Sequence, residues 1–313
     1  MTPSGQMAFA NARIRALKSQ LLTADVRHAA ASDIHPTLDV ARCYRTVLVS
    51  LPSARVPVRT LLERHEIENV KLLWRAIGRG HGAERWSALW RPLKGLASVS
   101  LDTARECSSL AQVVESLRAT PYGEVASAMW RAHRDDLLAA DLGFDQWMSR
   151  RLLAAAMSLD SQEAVARDML CGIVGERDLN VLRRGVTTYG LSAGAVAGAM
   201  VFLPQTISTE RLATLATWTP QQGAFAALWP PRWRHMTAGV ADWDALLLQW
   251  RRARYRACRR AFLGDPFGIA PAVALLLLVD EETRAVSALV HTRRDAAETP
   301  SLASALAASA IGH

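Results

Sequence analysis

Apolar residues recur along this chain at spacings of three and four, and strict apolar/polar alternation over the length of a strand is hard to find. At ~3.6 residues per turn, that spacing gathers apolar side chains on one face of a helix. Ala10, Ile14, Leu17 and Leu21 form one such stripe, with Arg13, Arg15 and Lys18 on the other side. Ile67, Val70, Trp74 and Ile77 form another, as do Leu179, Leu182, Val186 and Tyr189, and Leu276, Val279, Thr283, Val286 and Val290. Breakers fall between the stripes, at Pro52, Pro57, residues 78–82, Pro92, Pro121, Pro204, Pro220, Pro230-Pro231 and residues 264–271. The pattern predicts an all-α protein whose helices are joined by short loops.

With 313 residues, half of them hydrophobic, the chain can bury a core without a cofactor, metal or disulfide, and it is not a disordered polymer. Its four cysteines, Cys43, Cys107, Cys171 and Cys258, lie far apart, which reads as reduced thiols in a cytosolic protein. Residues 1–6 lack the basic and apolar regions of a secretory signal. The longest apolar stretches, residues 268–279 and 191–203, fall short of the ~20 residues that cross a bilayer, so no membrane span is expected. Beyond Asp295 the composition turns to Ala, Ser, Thr and Pro. A single domain over residues 1–298 and a flexible tail over 299–313 follow from that shift.

Self-similarity divides the domain further. Asn69-Val70, Asn180-Val181 and Ala285-Val286 stand 111 and 105 residues apart, each in a charged and aliphatic helix, with Glu66, Glu176 and Glu282 a little upstream. A Pro turn follows the first two copies: Arg91-Pro92-Leu93 leads to Ser98 and Leu101, and Leu203-Pro204-Gln205 to Ser208 and Leu212. Three helical quasi-repeats, centred near 61–78, 170–190 and 271–291, are the simplest organisation, with a Ser/Thr-capped helix after each Pro turn.

The chemical motifs are weak. His65-Glu66-Ile67-Glu68-Asn69 approaches the H-E-x-x-H zinc signature, but Asn69 stands where the second imidazole is needed. A surface histidine beside a helix-packing asparagine is the better reading. Gly190-Leu191-Ser192-Ala193-Gly194 matches the nucleophile elbow, yet helix precedes it where a strand is required, so Ser192 reads as a helix N-cap. Gly78-Arg79-Gly80-His81-Gly82 follows a helix and reads as its C-terminal cap, not a phosphate loop. No cofactor, metal or catalytic residue is assigned.

Charge is the stronger signal. Lys and Arg number 37 against 29 acidic residues, a formal net charge of +8. Six arginines fall within residues 251–260. At about 100° per residue, Trp243, Leu246, Trp250, Ala253, Ala257 and Ala261 share one face, and Arg252, Arg256, Arg259 and Arg260 lie opposite. This is an amphipathic helix with a basic outer face suited to an acidic partner. A nucleic acid is one such partner, but Trp243 and Trp250 point inward, away from the arginines.

Several segments together carry a family resemblance. Phe9-Ala10-Asn11-Ala12-Arg13-Ile14-Arg15 followed by Leu21-Leu22, Glu66-Ile67-Glu68-Asn69-Val70 with Arg75, and Thr120-Pro121-Tyr122 come first along the chain. Arg177-Asp178-Leu179-Asn180, Phe202-Leu203-Pro204, and Pro266-Phe267-Gly268-Ile269-Ala270-Pro271 leading to Asp280-Glu281-Glu282 follow in order. In this order they resemble the C subunit of the V-type (A-type) ATPases, the relative of the d subunit of the eukaryotic vacuolar ATPase. Ala285 departs from the pattern, since the third repeat then lacks its asparagine, and the turn after Pro204 lacks a glycine. The resemblance implies an all-helical funnel with three-fold pseudosymmetry and no catalysis of its own. It would lie peripherally on the cytoplasmic face of the cell membrane, between the central-stalk subunits and the membrane rotor ring, in proton or sodium transport. The residues it marks are Asn11, Arg13, Glu66, Asn69, Arg75, Asn180 and Glu282. The alternative is a basic all-helical nucleic-acid-binding protein.

Overall fold

The computed structural model describes residues 3–19, 39–218, 229, 237, 240–265 and 267–298. Leu21, Leu22, Pro220, Pro230-Pro231, Pro266 and the tail 299–313 lie outside them, as do the side chains beyond Arg284. Every regular element among the described residues is helical, as the periodicity predicts. In chain order the α-helices are α1 (Pro3–Lys18), α2 (Val40–Ser50), α3 (Arg55–Gly78), α4 (Ala83–Trp86), α5 (Leu101–Arg105), α6 (Leu110–Leu117) and α7 (Gly123–His133). They continue with α8 (Leu137–Met157), α9 (Ala164–Gly185), α10 (Ala193–Ala199), α11 (Thr209–Ala216), α12 (Trp243–Ala261) and α13 (Ala270–Glu298).

The chain forms two compact units, residues 1–55 with 258–313 and residues 56–257. In the first, α1, α2 and α13 pack on one another. The stripe Ala10, Ile14 and Leu17 is buried there, with Cys43, Tyr44 and Val47 of α2. Residues 272–279 of α13 are buried on every side, so that helix presents more than the single stripe that its spacing suggests.

In the second unit α7, α8 and α9 pack in sequence, and α10 and α11 close against α9. Short polar caps start these helices. Ser192 accepts the Ala195 N–H, Ser208 that of Arg211, and Asp136 that of Ala139. Ser192 is thus the N-cap its context predicts. The helix after Pro92 is capped by Ser100, which accepts the Thr103 N–H, while Ser98 is engaged elsewhere. Helix α3 ends as residues 78–82 predict. Gly80, at φ +69°, lets the His81 N–H reach the Ala76 carbonyl and its own N–H reach Ile77, which satisfies two of the last carbonyls.

Helix α3 is buried almost all round, polar residues included. His65, expected on the surface, is only 7% exposed. On another side of α3, α8 covers the charged residues through an antiparallel series of ion pairs. Arg151 grips Glu63 with both arms, at 2.8 and 3.0 Å. Lys71 lies 2.6 Å from Asp145 and 3.7 Å from Asp141, and Arg75 lies 3.6 Å from Asp141. Trp74 meets Phe144 edge-on between these pairs.

Candidate functional site

The arginine run of α12 divides by direction. Arg252, Arg256, Arg259 and Arg260 are exposed, on the face opposite the buried Leu246, Trp250 and Ala261. Tyr255 is also exposed, so one aromatic stands among the outward arginines. Arg254 turns the other way. It is 7% exposed and bonds the Glu176 carboxylate of α9, which also takes Arg251 at 2.7 Å. Burial pushes the Glu176 carboxyl up, but the two guanidinium groups outweigh it and hold it below the ordinary range.

Three more contacts hold α12 to α9. The Trp250 indole N–H donates to the Gly172 carbonyl at 2.8 Å, and the ring lies where a side chain at Gly175 would stand. At the start of α12, Asp244 pairs with both arms of Arg183, at 2.8 and 3.0 Å. Arg183 faces Asp244 while Glu176 faces Arg251, so the two helices run antiparallel. The inner face of α12 is therefore fastened by charge, an indole hydrogen bond and close packing, and its outer arginines are displayed from a rigid base.

Arg254 is not among the residues expected at the site, yet the sequence carries its signal. It shares the wheel stripe of Trp250, Ala257 and Ala261, and a charged residue on an apolar stripe requires an internal partner.

The residues marked by the resemblance hold segments in place. Glu66 is buried and accepts the Ser98 N–H with one oxygen and the Tyr122 hydroxyl with the other. Two separately marked segments meet in that contact, and burial together with the Glu66 and Glu63 charges raises the Tyr122 hydroxyl far above its usual range. Asn69 exchanges two 2.9 Å hydrogen bonds with the backbone of Arg91. In the other unit Asn11 donates to the Gly268 carbonyl at 3.2 Å, which joins the opening helix to the turn before α13. Arg13 is exposed, and Arg75 is half-buried beside Asp141. Glu282 is half-buried and follows the buried Asp280 on α13.

Asn180 does not repeat the role of Asn69. It donates to Glu176 of its own helix at 2.9 Å and borders a polar cleft with Arg183, Arg184, Thr187 and Thr188. On α9 the residues that reach the downstream segment lie two and three positions earlier. Asp178 accepts the N–H groups of Val201, Phe202 and Leu203, and Arg177 donates to the Ala199 and Leu142 carbonyls. The pairing of Asn69 with Asn180 is thus offset from these contacts by two to three residues.

Compared with known proteins, residues 39–297 match the family model described as ATP synthase (C/AC39) subunit. The C subunit of the A-type ATP synthase of Methanocaldococcus jannaschii is 20% identical over 251 residues. That similarity covers 77% of this chain and 63% of the relative.

Proposed function

The chain belongs to the ATP synthase C/AC39 subunit family, and from that premise we propose that it is a non-catalytic rotor subunit joining the central stalk to the membrane ring. The observation that carries the reading is the family match across residues 39–297, most of the chain. The relative from Methanocaldococcus jannaschii, named as a subunit of an A-type ATP synthase, supports the same assembly. In this reading the chain is peripheral on the cytoplasmic face, and its charge serves protein partners and not nucleic acid. No helix among the described residues is long and apolar enough to cross a membrane.

A coupler must transmit torque without deforming, and the charge-locked pairs α3/α8 and α9/α12 supply stiffness where apolar packing alone would allow sliding. The exposed Arg252, Arg256, Arg259 and Arg260 meet acidic loops of the stalk or ring, where complementary charge fixes register and speeds assembly. Three helical quasi-repeats, centred near 61–78, 170–190 and 271–291, with Glu66, Glu176 and Glu282 upstream of the aligned pairs, are the organisation we favour.

The test is co-purification with the stalk and ring subunits. The parent chain is expected in the assembled rotor, and the quadruple R252E/R256E/R259E/R260E chain, folded by its circular dichroism, is expected outside it. Full incorporation of the quadruple variant overturns the assigned contact, and absence of the parent from any rotor overturns the function.

A further inference from the structure

The outward stripe of α12 does not finish on an arginine. One turn beyond Arg259 and Arg260 stands Leu263, whose 88% exposure exceeds that of every other exposed large hydrophobic side chain among the described residues. The helical turn persists to that point. The Phe262 N–H donates to the Arg259 carbonyl at 3.3 Å, and the Leu263 N–H to that of Arg260 at 2.9 Å. Leu263, at i+4 and i+3 from the two arginines, therefore rises from the same edge as their guanidinium groups.

Four residues later Phe267 is 51% exposed, with its N–H on Asp265 Oδ1 at 2.8 Å. Both ends of the loop are fastened within the same unit. Phe262 is buried with the Lys18 ammonium 4.6 Å from its ring centre, and the Gly268 carbonyl holds Asn11. Two exposed apolar side chains thus stand four residues apart, with Arg259 and Arg260 on the helical turn before Leu263 and the Lys18 ammonium on the ring of the neighbouring Phe262. Asp265 is the acid of the loop, and its carboxylate is engaged with the backbone.

A single exposed leucine is ordinary on a protein surface. Two apolar side chains standing out from one tethered loop beside Arg259, Arg260 and Lys18 match the layering of an anionic bilayer. The apolar groups reach the acyl boundary while the cations meet phosphates. A protein partner fits less well, because two separate side chains offer no groove and little of the ~800 Å² per partner that a stable interface buries.

We propose that Arg259, Arg260, Leu263 and Phe267 dock on an anionic lipid surface, with Leu263 and Phe267 inserting and the arginines, joined by Lys18, on the headgroups. The proposal goes beyond the rotor reading and does not depend on it, since it requires no other protein of the assembly; where it holds, Arg259 and Arg260 serve lipid and the protein contact falls to Arg252 and Arg256.

The full chain is floated with phosphatidylcholine vesicles, and with the same vesicles containing phosphatidylglycerol. Binding to the mixed vesicles alone is expected. L263S/F267S and R259E/R260E should each lower the bound fraction at least about tenfold, with the thermal midpoint unchanged because all four side chains are exposed. R252E/R256E, the same charge change farther along α12, should keep most of the binding. No flotation on anionic vesicles overturns the proposal. So does flotation that survives L263S/F267S, or equal loss with R252E/R256E, since either outcome reduces the effect to the attraction of a basic protein for any polyanion. A rotor that assembles normally while vesicle binding fails would sink this inference and leave the proposed function standing.

Discussion

Asn69 and Arg91 are paired as two strands would be: the Asn69 amide donates to the Arg91 carbonyl and accepts the Arg91 N–H, both at 2.9 Å. A side chain of α3 thereby satisfies the backbone of a segment that has no ladder of its own, just before Pro92, which has no N–H to give. Leucine has the branched shape of asparagine, is somewhat larger, and can make neither bond. N69L should lose about 2–4 kcal/mol, since two backbone groups are left without their partner in a half-buried place. Urea unfolding checks this, and a parental midpoint would refute the anchoring role.

Glu176 links stability to pH. Its carboxyl is held below the ordinary range by Arg254 and Arg251 against the opposing effect of burial. A depressed carboxyl contributes stability that is fully present above its unfolded pKa of ~4.3 and is lost as pH falls through the folded value. E176Q removes the charge and leaves Arg254 buried, so at neutral pH it should cost about 3–5 kcal/mol. Below pH ~4 the gap between parent and variant should narrow, because the parent loses the same charge. Denaturation series at several pH values give both quantities, and a gap constant with pH would show that the ion pair is not its source.

The two pairs also show how far the sequence can be read. Periodicity marks the faces of α1 and α12 and the cap at Ser192, because those depend on neighbours within about a turn. The partner of Arg254 depends on α9, whose approach no local spacing encodes, and the burial of His65 likewise follows from tertiary packing. Glu66 and Tyr122 are each marked by the resemblance, but their contact bridges 56 residues and becomes visible only when α3 and the turn before α7 are placed. The letters of the repeat and its contacts differ by two to three residues for a related reason. Asn69 and Asn180 align as letters, while the work done by Asn69 falls in the second copy to Arg177 and Asp178.

Close approach of α9 and α12 gives a paired prediction of opposite sign. A Cβ on Gly175 would stand 2.3 Å from Trp250 Cζ2, and the indole cannot swing aside without giving up its bond to Gly172. G175A should therefore destabilise by about 1–3 kcal/mol. Gly198, in α10, has nothing within 4 Å of its added Cβ. G198A should gain about 0.4–1 kcal/mol from the lower entropy of the unfolded chain. Thermal melts of the two variants decide it, and a neutral G175A would mean that the helices can part at little cost.

The thiols offer a test of packing in both units at once. Cys43, Cys107, Cys171 and Cys258 are all buried thiols. Burial, seconded by Asp39, pushes the Cys43 thiol up to about 11, and burial raises Cys171 as well. The thiolate is the reactive form, so at pH 8 only about one Cys43 in a thousand is ready to react even when reagent reaches it. The folded chain should therefore take up Ellman's reagent slowly, with Cys107 and Cys171, at 8% and 9% exposure, ahead of the fully enclosed Cys43. In denaturing urea all four should react at once, as the chain contains four cysteines. Rapid uptake of a full equivalent at Cys43 in the folded chain would show that α1, α2 and α13 do not enclose it as described.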